Sequence, residues 1–401
     1  MKFVVFLFLI LVAANVTADT TLRWWQFWTD PAIKPTIETI VDEFEQANPG
    51  INVELTDLTW ANGHEKIVLS LASGTGPDVL ELGSDWIAQF AANGHLADIS
   101  SMIADDSSAF QGWSMADYDD KIYAFPWILG TRVLFANREL LTRAGYDPDF
   151  VPVTWDDLKQ SAAAVSALGS GVYGWGSNAA EKHRLYKKFL PFFWSAQGQI
   201  FSDNGQHCVL ASTYAIDALQ TYKDLHDSSG YVANQRGIED AFLEGKVGFV
   251  LSGDWLLKRI ELEKHKIDLV STLMPGPTFI GRSFMGGEFL AVTEASEQKE
   301  AAMKLIRFVT SPKNQVRFCK ANRSANPSSI VAQTDEYFSS NIHLQTFIKQ
   351  IPMSNHPPVD PDWVFIENII EEAIEESLFE SGGVAEPLRK ARGKIAKLKS
   401  Q

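Results

Sequence analysis

Three strand-then-helix units follow one another between residues 22 and 93, and that alternation constrains the fold more than any other feature of the chain. Residues 22–27 (LRWWQF) form an apolar, aromatic-led run bounded by polar residues, the signature of a buried strand. Trp28-Thr29-Asp30-Pro31 turns out of it. Ile37, Ile40, Val41 and Phe44 then recur at i, i+3, i+4 and i+7, one apolar stripe of a helix, which Asn48-Pro49-Gly50 ends. Ile51, Val53 and Leu55 alternate with polar residues as a second strand. The next helix carries Ile67, Val68 and Leu71, and residues 79–82 form a third strand. Gly83-Ser84-Asp85 leads into a helix with Trp86, Ile87 and Phe90, which Gly94 ends. Consecutive strand–helix–strand units require right-handed crossovers and a largely parallel sheet. The fold class is α/β.

The same device returns at residues 239–255 (EDAFLEGKVGFVLSGDW). A short acidic helix stops at Gly245, residues 247–251 make a buried strand, and Ser252-Gly253-Asp254-Trp255 turns into a helix through Leu256, Leu257 and Ile260. Turn residues at the carboxyl end of such a strand sit where open α/β sheets bind ligands. Trp255 therefore either faces a crevice or packs into the core. Between these regions, Thr154-Trp155-Asp156-Asp157 reads as an N-cap with an acidic residue at N3. Pro275-Gly276-Pro277 continues neither helix nor strand and marks a hinge or linker. Gly286-Gly287 precedes a strand at 289–292, and Ser311-Pro312 opens a helix with Pro at N1. The loop 322–329 (NRSANPSS) and an amphipathic helix through Trp363, Ile366, Ile370 and Ala373 follow.

With 401 residues, 45% hydrophobic and 21% charged, the chain has globular composition and the length of two domains or more. Residues 1–18 stand apart: Met1-Lys2, the apolar run FVVFLFLILVAA, then Val16-Thr17-Ala18. They predict a secretory signal peptide cut after Ala18; the run is short for a membrane span. The mature protein is expected to be exported to the periplasm. A formal net charge of -15 argues against nucleic acid and anionic membranes as partners. The cysteines, Cys208 and Cys319, allow one bridge in an oxidising compartment or two buried thiols.

Several stretches in order carry a family resemblance: LRWWQFWTD; GTGPDVLELGSDWIAQFAANGHLADI; DDKIYAFPWILGTRVLFANRELL followed by TWDDL; FLEGKVGFVLSGDW; MGGEFLAV; and SPKNQVRF with NRSANPSS after it. Together they make the chain similar to the extracellular solute-binding proteins of bacterial ABC importers, in the carbohydrate-binding group that includes maltose-binding protein. The resemblance implies two α/β lobes with a ligand cleft between them and crossings near 127–133, 273–280 and 324–331. Lobe one is then expected from 19–127 plus 280–325, and lobe two from 128–279 plus 326–401. Cys208 and Cys319 would fall in different lobes and stay unbonded, because a bridge would lock the hinge. The implied partners are a small carbohydrate and the transmembrane subunits of an ABC permease; the protein is expected to be a monomer without a cofactor.

A sugar offers apolar C–H faces and hydroxyl rims, so its site needs aromatic rings and carboxylate or amide groups. Most of the twelve Trp are expected in the core, and the candidates are those at strand ends and turns. By position in the family pattern these are Trp28, Thr29 and Asp30 after the first strand, Asp85 and Trp86 after the third, Trp127 at the first crossing, and Trp255. Asp85 is preferred as a ligand contact over a helix cap. Gly286, Gly287 and Glu288 either bring backbone to the ligand or form a plain turn. Arg323 lies near the third crossing, and a solvated loop charge is its favoured reading. Trp363 is either ligand-facing or the first residue of an apolar stripe. A glycerol phosphate ester is an alternative ligand, with Arg323 and Arg132 the nearest cations.

Enzymatic readings find little support. There is no Gly-rich phosphate loop, no HExxH and no GxSxG, and His64-Glu65 lacks a second His at the needed spacing. A secreted carbohydrate-active enzyme would need a carboxylate pair. Glu371, Glu372, Glu375 and Glu376 read instead as a solvated helix face.

Overall fold

The computed structural model describes residues 20–178, 181–202, 205 and 207–400. The expected signal peptide at 1–18 lies outside the described residues. In chain order the strands are β1 (Thr20–Gln26), β2 (Ile51–Asp57), β3 (Val79–Gly83), β4 (Phe125–Thr131), β5 (Val133–Asn137), β6 (Tyr173–Asn178), β7 (Gly230–Ala233), β8 (Val247–Ser252), β9 (Leu269–Thr272), β10 (Ser283–Val292), β11 (Asn326–Pro327) and β12 (Ser354–Asn355). A small ribbon, Asp117–Tyr118 with Lys121–Ile122, stands apart.

The strands build two sheets. The first has the order β11-β4-β10-β3-β1-β2, with β12 pairing β10, and the second β9-β5-β8-β6-β7. β1 pairs with β2 and with β3 in parallel, as the strand–helix alternation predicts. The expectation of a largely parallel sheet holds for these strands and again for β8–β6 and β6–β7 of the second sheet, but β10 runs antiparallel to both β3 and β4, because the chain returns to the first sheet from the other lobe. The expected strand at 289–292 is thereby the second half of the longer β10, and Gly286-Gly287 lies inside it rather than in a turn. A Cβ on Gly287 would sit 2.3 Å from the carbonyl oxygen of Ile128, so the close β10–β4 approach needs glycine there.

Helices cover both faces of each sheet. The stripe Ile37, Ile40, Val41 and Phe44 of the helix Lys34–Ala47 is buried with Leu22, Trp24 and Val79 on one face of the first sheet. Ile67, Phe90 and Phe289 fill the other face. In the second sheet the period of two along β5 sends Leu134 and Ala136 to a core with Trp175, Phe192 and Trp363, and Val133 and Phe135 to one with Ile238 and Val250. The helix Trp155–Ser166 opens with the expected capping box: Asp157 N–H donates to Thr154 Oγ1 (3.1 Å) and Thr154 N–H to Asp157 Oδ2 (2.9 Å).

The sheets are joined where β4 runs into β5, with Arg132 alone between them. The first sheet thus keeps residues 128–131, which the expected boundary at 127 gave to the other lobe. Pro275-Gly276-Pro277 is held to the second lobe: the Trp155 indole donates to Pro275 O (3.1 Å) and the Trp155 amide to Gly276 O (2.7 Å). The chain then re-enters the first sheet at Ser283, whose hydroxyl donates to Arg132 O (2.7 Å). Residues 324–331 do not cross between sheets, because Asn326 and Pro327 pair with Leu129 and Ile128 at the edge of the first sheet. The third connection runs later, through β12 beside Ser283 and Phe284. Cys208 and Cys319 are free thiols in separate cores.

Candidate ligand-binding site

A cleft of about 1030 Å³ separates the two sheets. Its first-lobe wall is made by chain leaving the carboxyl ends of β1, β2 and β3, which carries Trp28, Trp60 and His64, and Asp85 with Trp86. Parallel strands put these turns side by side, the topological position of ligand sites in such sheets. Trp60 is 48% exposed and stacks on Phe27, with centroids 4.2 Å apart. Trp86 lies 5.5 Å from Trp60 and 4.9 Å from the His64 ring. A Cβ on Gly83 would fall 2.7 Å from Asp85 Oδ1, so glycine makes the room in which that carboxylate sits. No side chain caps the following helix Ile87–Ala92, which leaves Asp85 free of that duty. Gly286, Gly287 and Glu288 complete this wall from β10.

The second-lobe wall is built on the turn after β8. The Trp255 indole donates to Glu239 Oε1 (2.7 Å), and the Ser252 hydroxyl donates to the same oxygen (2.7 Å). The other Glu239 oxygen accepts from Arg259 Nη1 (2.9 Å). The buried Glu239 thereby fixes the pose of the indole ring. Beside it stand Tyr186 and Lys187 of the helix Leu185–Ser195, Phe284, and Arg132 at the hinge.

Burial dominates the electrostatics. It pushes the Glu288 carboxyl up to about 7, with the nearby Asp254 and Asp85 charges adding to the rise. It lifts Asp254 to about 6 against the opposing hydrogen bond from Ser324 and the charge of Arg132. It also brings Arg132 down to about 10 and lowers Lys187. The result is a half-buried groove lined by indole rings from both lobes and by carboxylates. Such a surface accepts hydrogen bonds from hydroxyls and covers apolar C–H faces.

A family model for bacterial extracellular solute-binding proteins matches residues 30–316. The chain belongs to this family. The maltodextrin-binding protein MdxE of Bacillus subtilis is 24% identical to this solute-binding protein over 366 residues, 85% of this chain and 82% of that one. The sugar-binding protein MalE of Xanthomonas citri superposes with a TM-score of 0.86 at 22% identity, covering 95% of this chain and 98% of that one. UgpB of Mycobacterium tuberculosis, solved with glycerophosphocholine, superposes with a TM-score of 0.79 at 19% identity over 95% and 99%. At such identities the superpositions carry the fold: the two-lobed α/β architecture of this family.

The cleft brings together Trp28, Asp85, Trp86, Trp255, Gly286, Gly287 and Glu288 of the residues singled out from sequence. It excludes the others. Trp127 is 0% exposed, inside β4, packed between Trp24 and Phe318. Trp363 is 1% exposed against Tyr186, the first member of its helix's apolar stripe. Thr29 and Asp30 are exposed beyond the cleft, where Asp30 Oδ1 accepts from Ala32 N–H (2.9 Å). Arg323, at φ 58° behind the helix Pro312–Asn322, is exposed and pairs with Glu261 (2.8 Å). Glu371 departs from the expected solvated face: it is buried and accepts the backbone N–H of His183 (2.9 Å). Trp60, Tyr186, Lys187 and Phe284 were not singled out. The rule that selected Trp28, an aromatic just past a strand, also selects Trp60.

Proposed function

We propose that this chain is the capture subunit of an ABC importer, taking a sugar or related polyol into the cleft and passing it unaltered to a membrane permease. It would do so as an exported periplasmic monomer, after removal of residues 1–18. One observation carries the reading: Trp60 and Trp86, with Asp85 and Glu288, line the first-lobe wall of the same cleft whose second-lobe wall carries Trp255. Closing two lobes on a pyranose satisfies both ring faces and rim hydroxyls, and closure follows from tighter binding to the closed form. A volume of about 1030 Å³ is at the upper end of small-molecule sites, which favours more than one sugar ring. The maltodextrin-binding relative and the sugar-binding neighbour support the same class.

Isothermal titration of the full chain with mono- and oligosaccharides tests this. Saturable heat from at least one sugar is expected. Silence from every sugar, with tight binding of another class, would end the carbohydrate reading. A glycerol phosphate ester is the second reading, favoured by Arg132 in the cleft and by the neighbour solved with glycerophosphocholine.

A further inference from the structure

Two cations pack on Phe284 at the hinge end of the cleft, and among the described residues neither is in an ion pair. The Arg132 guanidinium carbon lies 4.5 Å from the Trp255 ring centroid and 5.4 Å from that of Phe284. Lys187 Nζ lies 5.6 Å from the same Phe284 centroid and 5.3 Å from that of Tyr186. Among the described residues the Arg132 side chain makes one hydrogen bond, from Nη1 to Thr131 O (3.1 Å), and Lys187 makes none. Neighbouring arginines on this wall are neutralised: Arg184 by Glu181 (3.0 Å), Arg236 by Asp240 (3.2 Å) and Arg259 by Glu239 (2.9 Å).

Asp254 attracts Arg132 and Glu367 attracts Lys187, but neither carboxylate reaches ion-pair distance. Asp254 accepts from Ser324 and Asn326 (2.9 Å each), and Glu367 holds His183. Asp85 and Glu288 attract the cations from the opposite wall without reaching ion-pair distance. The charge of Arg132 disfavours that of Lys187, and contact with an aromatic ring offsets only part of that. A guanidinium with aromatic rings against it leaves its N–H edge for in-plane bonds, the geometry that grips carboxylate or phosphate. An oxyanion placed here would give both cations the direct hydrogen-bond acceptor that no carboxylate supplies, while the indole rings take the sugar face.

We propose that the solute carries an oxyanion, a carboxylate or a phosphate ester, seated between Arg132 and Lys187. This rests on the sugar reading above, and the test separates the two. The full chain is first titrated with inorganic phosphate, following tryptophan fluorescence, because Trp255 touches Arg132. A saturable change is expected, weakened about tenfold or more in Arg132→Met and in Lys187→Met, the scale of one charge-assisted hydrogen bond. Thermal melts of each variant check that it is folded. Calorimetry then compares a neutral oligosaccharide, its uronate counterpart and a sugar phosphate. Preference for either acidic arm, lost in Lys187→Met, supports the seat and identifies the source of the anion. Equal affinity for neutral and acidic sugars, unmoved by both substitutions, overturns the seat and leaves the sugar reading intact. Phosphate binding without any sugar binding keeps the seat and removes the sugar reading. No response to phosphate or to any acidic sugar overturns the seat.

Discussion

Asp254, on the turn after β8, accepts a hydrogen bond from Asn326 Nδ2 on β11 at 2.9 Å, and so ties the second lobe to the first. Ser324 Oγ donates to the other Asp254 oxygen, also at 2.9 Å. Arg323–Glu261 (2.8 Å), Lys258–Asn322 (3.3 Å) and Lys258–Asp30 (3.7 Å) extend the contact along the same rim. One side of the cleft is therefore clasped by the helix Trp255–Glu263 against the loop that follows the helix Pro312–Asn322. A hydrogen bond to a charged group contributes about 1.5–3 kcal/mol, and a ligand that favours the closed form loses whatever the clasp supplied. The Ser324→Ala, Asn326→Ala pair should open the lobes, with a larger radius of gyration by solution scattering and roughly tenfold or greater loss of ligand affinity. Unchanged scattering and affinity would show that the rim does not bias closure.

Two carboxyls of the cleft also titrate. Glu288 and Asp254 hold their protons up to about 7 and about 6 in the fold, well above ordinary carboxylates. Between about pH 4 and pH 7 the unfolded chain thus binds fewer protons than the native one at these two groups, so their contribution to stability falls as pH rises. A tenfold difference in proton affinity between the folded and unfolded chain is worth about 1.4 kcal/mol. Glu288→Gln should therefore flatten the decline of the denaturant midpoint between pH 5 and pH 7.5, and Asp254→Asn should do so less. A variant whose stability tracks the wild type across that range would assign the decline to other groups.

Two kinds of tryptophan should separate cleanly. Trp60→Ala and Trp255→Ala remove rings that line the cleft and should weaken ligand binding about tenfold, since a ring contact contributes on the order of 0.5–1.5 kcal/mol beyond its area, with the smaller change in melting temperature in Trp60→Ala, whose ring is half exposed. Trp127→Phe removes part of a ring wedged between Trp24 and Phe318. It should lower stability by about 1–3 kcal/mol and leave affinity alone. Loss of affinity in Trp127→Phe with stability intact would reverse the assignment.

The fold was legible wherever a pattern is local. The stripe from Ile37 to Phe44, the Thr154–Asp157 cap and the strand-to-turn passage at Ser252–Trp255 each depend on residues a few positions apart, and each formed. The site was legible only in part, because its floor is assembled across the hinge. Thr131 Oγ1 donates to Phe284 O (2.8 Å) from 153 positions away, and nothing near Phe284 announces that Arg132 and Lys187 will share its ring. Trp127 and Trp28 look alike in sequence. One lies within a strand buried on both sides and the other one turn beyond a strand's end, a difference of two or three residues that local pattern does not resolve. Asn326-Pro327 looked like crossing loop because its strand partner, β4, lies two hundred positions earlier.

The pose of Trp255, rather than its presence, should decide binding, and Gly253 isolates the two. A Cβ there would meet the indole at 1.9 Å (Cζ3), 2.3 Å (Cε3) and 2.4 Å (Cη2). Gly253 does not use a left-handed φ, and the three atoms nearest to the added Cβ all belong to the ring. Swinging the ring away breaks its bond to Glu239 (2.7 Å) and lifts it off Arg132. Alanine also narrows the unfolded ensemble, which returns about 0.4–1 kcal/mol. Gly253→Ala should therefore bind ligand about as poorly as Trp255→Ala, roughly tenfold or more below wild type, with a net loss of about 1–2 kcal/mol in stability, because the lost bond to Glu239 outweighs the entropic return. Wild-type affinity in Gly253→Ala would mean that the solute does not read the ring in the orientation that Glu239 imposes.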